Sequence, residues 1–98
     1  MTTSTTSEFV DTVTAALDTA VRAAHAHAES MESGFAREKS LLSSQLRKEF
    51  EALRTKAVRL RGTDADYATF SLIGTAIERG DVAPVEATRD RWLELIAA

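Results

Sequence analysis

The side chains able to ligate a metal, move a proton or hold a phosphate are few and thinly spread. His25 and His27 are the two histidines. Residues two apart on a helix project about 200° from one another, so this pair does not meet one metal, which wants a spacing of four. They read as ordinary helix histidines. Glu29 and Glu32, and Glu38 with its neighbours, stand at spacings usual for a solvated helix face. No serine, histidine and acid share a helical face in the manner of a nucleophilic triad. Cysteine is absent, which excludes disulfides, thiolate nucleophiles and zinc–thiolate sites. The inventory predicts no enzyme, cofactor, metal or small-molecule substrate.

The arginines form the one regular array. Arg47, Arg54 and Arg61 recur at sevens, which sets them in one row about 10.5 Å apart along a helix. Arg59 lies close by, and Lys48 and Arg37 fall on the far side. A row of this kind can contact phosphates, as a nucleic-acid interface would. It can equally pair with Asp64, Asp66, Glu78, Glu86 or Glu94, or with a second chain. The acidic balance of the whole chain and the lack of interleaved aromatics favour pairing over nucleic acid.

These residues need an element to position them, and the hydrophobic pattern supplies one. From Val10 to Leu60, apolar residues recur mostly at threes and fours: Val10, Val13, Leu17, Val21, Ala24, Ala28, Met31, Phe35, Leu42, Leu46, Phe50, Leu53, Ala57 and Leu60. On a helical wheel they fall within a band about 100° wide. The stripe keeps its phase through Gly34, and no Pro, Asn or Asp flanks that glycine. The pattern therefore predicts one long helix over 6–61, about 80 Å in length, with Gly34 as the only candidate break. Residues 1–5 read as a disordered tail, with Thr5 and Glu8 placed as a capping box.

Gly62 follows Arg59 and Arg61, where a helix end suits glycine and cations. Helices are expected over 64–79, with Tyr67, Phe70, Ile73, Ala76 and Ile77, and over 82–97, with Val85, Trp92, Leu93 and Ile96. Asp81 is placed to cap the latter, and Pro84 in its first turn has no N–H to waste. No strand pattern is present. The expected architecture is a single all-α domain over 6–98, in which the short two-helix hairpin covers the second half of the long helix. Phe50, Phe70 and Trp92 would form the centre of that bundle.

Charge is unevenly distributed. Five acids against one arginine give residues 1–36 a net charge of -4, eight bases against three acids give 37–61 +5, and seven acids against three arginines give 62–98 -4. A stripe over 7–33 without a cover, on an acidic arm, predicts a coiled-coil-like homodimer. Its interface would comprise Val10, Val13, Leu17, Val21, Ala24, Ala28, Met31 and Phe35. The function expected is non-enzymatic protein–protein interaction. A small acidic inhibitor or adaptor on a nucleic-acid-processing machine is one alternative, and nucleic-acid binding by segment 37–61 through Arg47, Arg54, Arg59 and Arg61 is another. The first seven residues resemble no signal peptide, and no apolar run approaches the roughly 20 residues of a membrane span. A cytoplasmic protein without membrane contact is expected.

Overall fold

The computed structural model describes residues 5–32, 36–61 and 64–97, and the side chains of 7–32, 37–60 and 68–97. Gly34, Phe35, Gly62, Thr63 and residues 1–4 lie outside that set, as do the side chains of Thr5, Arg61, Asp64, Asp66 and Tyr67. The described residues form four helices: α1 (Thr5–Glu32), α2 (Ala36–Arg61), α3 (Asp64–Arg79) and α4 (Val82–Ala97). The molecule measures 51 × 22 × 22 Å.

The single 80 Å helix is not formed. The chain reverses between Glu32 and Ala36, and α1 and α2 lie antiparallel in the most extensive contact of the fold. Three links step along the hairpin: Lys56 to Glu8 at 3.6 Å, the Ser43 hydroxyl donating to the Ala23 carbonyl at 3.4 Å, and Lys39 to Glu29 at 2.8 Å. Preserved phase across Gly34 misleads for a simple reason. The described residues that carry the stripe on either side of the break are not seam residues, since Met31 is 61% and Leu42 38% exposed.

α1 is the hub, touching α2, α3 and α4, whereas α2 meets α3 only slightly and does not approach α4. Its position at the centre requires more than one buried face. Phe9, Val13, Leu17 and Val21 form the larger one. Thr12, Ala16, Thr19, Ala23 and Ala26, also buried, form a second row at alternating fours and threes. These small side chains let the facing backbone come close, at the low end of the roughly 8–10 Å between packed helices. On α2 the inward row is Lys39, Ser43, Leu46, Phe50, Leu53, Ala57 and Leu60, in the same alternation. The heptad spacing thus runs along a seam inside one chain.

α3 and α4 join through Gly80, the one described residue at positive φ (71°). The Gly80 N–H donates to the Ile77 carbonyl and the Asp81 N–H to the Ala76 carbonyl, at 3.0 and 2.9 Å, closing the end of α3 in a Schellman motif. Asp81 stands immediately before α4 and Pro84 falls in its first turn, as expected. The hairpin packs on α1 rather than on the far half of α2. Phe50 and Phe70 meet in the core, ring centroids 6.1 Å apart. Trp92 instead lies edge-on to Phe9 of α1 at 6.4 Å, and its indole N–H donates to the Thr14 hydroxyl at 2.9 Å.

Candidate interaction groove

The expected N-terminal interface is placed in the core. Val13, Leu17, Val21 and Ala24 are buried against the other helices of the same chain. Val10 and Ala28 are half-buried, Met31 is exposed, and Phe35 lies outside the described residues. The reason for expecting an uncovered stripe on α1 therefore falls away, because α2, α3 and α4 cover it. The charge asymmetry is met in the same way. Lys39 and Lys56 of the basic helix reach Glu29 and Glu8 of the acidic one within the hairpin. The hydrogen bond and charge of Lys39 hold the Glu29 carboxyl below its usual range, and Glu29 raises Lys39 by the same two means.

The arginine row does not converge on a ligand. Arg47 reaches Glu78 of α3 at 3.1 Å. Arg54 is half-buried and Arg59 exposed, neither ion-paired among the described residues, and the Arg61 side chain lies outside them. Exposed Glu49 and Glu51 interrupt the positive surface. His25 approaches Glu86 of α4 at 3.4 Å, while His27 is half-buried, so the two histidines serve different surroundings. Among the described residues no three His, Asp or Glu side chains gather as a metal would require. No described helix is long and apolar enough to cross a membrane.

The feature that sequence reasoning missed is a groove between α3 and α4. Below their shared turn these helices touch little, and the seam between them opens down to α1. Its volume is about 710 Å³. Phe9, Val13 and Leu17 of α1 form the floor. Phe70, Ile73 and Ala76 form one wall, and Val85 and Trp92 the other. Leu72 and Leu95 stand on the opposite lips, 72% and 65% exposed. Thr69, Thr75 and Thr88 add uncharged polar groups, and Arg79, Asp81 and Arg91 mark the margins. Leu93 and Ile96, expected on the buried face of α4, are each 40% exposed and do not line the groove.

Chemically the groove offers mostly apolar area, three threonine hydroxyls and a few charges at its margins. The signal for it was present in the spacing of α3, where Leu72 falls outside the Phe70, Ile73, Ala76 and Ile77 face. No protein-family model, curated protein or solved structure matches this chain.

Proposed function

We propose that this chain is a non-enzymatic helical interaction protein that self-associates, and that the associating surface is the α3–α4 face. One observation carries the reading: two leucines stand largely exposed on the lips of an apolar groove. Contiguous exposed apolar surface of this kind marks association sites in soluble proteins. Self-association is the simplest use of it, since closed homo-oligomers, and two-fold dimers above all, are the commonest assemblies.

Sedimentation velocity over a concentration series tests the reading. The wild-type weight rises toward a dimer, and Leu72→Glu with Leu95→Glu stays monomeric with its helical circular dichroism intact. A wild-type chain that remains monomeric at hundreds of micromolar contradicts it. Leu17→Glu with Val21→Glu is the contrasting pair. Both side chains are buried within the chain, each worth ~1.5–3 kcal/mol of burial, and a buried unpaired charge adds several more. That variant loses its fold rather than merely its partner.

A specific observation favours one second reading. Asp11 and Asp18, seven apart on the open side of α1, are exposed and make no ion pair among the described residues. They support an acidic adaptor or inhibitor that docks on a basic surface. Reversal of these two charges abolishes such docking and leaves self-association untouched.

A further inference from the structure

We propose that a second copy of this chain covers the α3–α4 face, with the two-fold axis passing beside the middle of α3. This rests on the self-association reading and adds where the axis lies. Two-fold symmetry places each residue near the axis against its own copy. A charged side chain there meets a like charge, so charge decides which helix can lie on the axis.

The exposed residues of α1, α4 and the second half of α2 carry charge at close intervals: Asp11, Asp18 and Arg22, then Asp90, Arg91 and Glu94, then Lys48, Glu49 and Glu51. Residues 40–46 of α2 are also uncharged and leave Leu41 59% exposed, but they line no part of the groove. α3 combines an uncharged stretch with the groove itself. Between residues 68 and 77 it holds no charged residue at all. Yet Ala68, Ser71, Leu72 and Thr75 are exposed there, at i, i+3, i+4 and i+7, a single outward stripe. A Cβ built on Gly74 would meet nothing within 4 Å, so the surface beside this stripe is open.

Two such stripes fit one another. Small side chains allow the α3 backbones to approach to about 8 Å across the axis. Leu72 then inserts into the apolar groove of the opposite copy, where Leu95 of that copy closes over it. The margins are suited to self-pairing as well. Arg79 and Arg91 stand against Asp81 and Glu94, two of each sign, and none is ion-paired among the described residues. An uncharged centre with a balanced polar rim is the anatomy of a specific interface.

The chain has no cysteine, so a single introduced thiol reports a single position. A disulfide forms only where Cα atoms come within about 7 Å. Ser71→Cys and Thr75→Cys are each oxidised under mild conditions, beside Glu49→Cys on the outer face of α2, with sedimentation of the reduced variants in parallel. The expected result is a dimer in the reduced state, a covalent dimer from position 71 or 75, and none from position 49. A reduced dimer that cross-links at neither 71 nor 75, or as readily at 49, overturns the α3-centred arrangement and leaves self-association standing. Reduced variants and wild type that all sediment as monomers overturn both.

Discussion

Leu42 and Ser43 occupy the places that hydrophobicity would assign in reverse. Leu42 is 38% exposed and Ser43 2%. The seam position belongs to residue 43 because the α2 row advances by strict fours and threes, and there the Ser43 hydroxyl donates to the Ala23 carbonyl of α1 at 3.4 Å. Exchanging a small seam residue for a large one should therefore be costly. Ala23→Leu is expected to lose about 1–3 kcal/mol in urea denaturation, since added methylenes displace the packed helix. Leu42→Ser is expected to change stability by no more than about 0.5 kcal/mol, as surface substitutions do. At Trp92 the indole N–H has a defined acceptor. Thr14→Val removes it at nearly constant volume and should cost about 0.5–1.5 kcal/mol by the same measurement. The apolar face of α3 and the large residues Phe50 and Phe70 were legible from periodicity alone. The alanine row of α1 was not, because alanine is helix-favouring everywhere and its burial depends on what lies across from it.

At the scale of elements, the helix boundaries after Gly62 were readable because glycine, acid and proline punctuate them. The reversal after Glu32 was hidden because exposed residues, Met31 and Leu42, happened to keep the spacing of the stripe. Two glycines of α3 and its turn should respond oppositely to alanine. Gly80 has φ 71°, and an added Cβ would come within 2.8 Å of Met31 Cε and 3.3 Å of the Ala28 backbone. The methionine tip can swing aside; the backbone cannot. Gly80→Ala should destabilise by about 1 kcal/mol or more, whereas Gly74→Ala, inside α3 with open space around it, should stabilise by roughly 0.5–1 kcal/mol. Thermal denaturation of the two variants distinguishes these signs.

The hairpin end offers a pH test. Lys39 lowers the pKa of Glu29, so the contribution of this carboxyl is present above its unfolded value and is lost as pH falls through the folded one. Lys39 is raised, so its contribution is present below its unfolded value and disappears as pH climbs through the folded one. The melting-temperature gap between wild type and Glu29→Gln should be widest near neutrality, narrow in acid and at strongly alkaline pH, and shrink with added salt because both groups are exposed.

For the molecule as a whole, the charge blocks and the long stripe suggested two chains meeting, and a single chain answers both. Acidic α1 and basic α2 pair within one hairpin, and the stripe becomes the hub of a four-helix arrangement. Among the described residues the exposed large apolar side chains are Met31, Leu41 and Leu42 on the α1–α2 hairpin, and Leu72, Leu93, Leu95 and Ile96 on α3 and α4, where the seam between those two helices opens. Leu72 falls outside the apolar face of α3 in the sequence, but only the placement of the helices sets it opposite Leu95 across a groove. The claim that this seam is the working surface is tested most directly by amide shifts of the labelled protein in a dilution series. On concentration, the account predicts progressive shifts confined to α3 and α4, centred on Leu72, Thr75 and Leu95, with Lys48, Glu51 and Thr55 on the outer side of α2 unmoved. Shifts centred on α1 or α2, or none at any concentration, would contradict it.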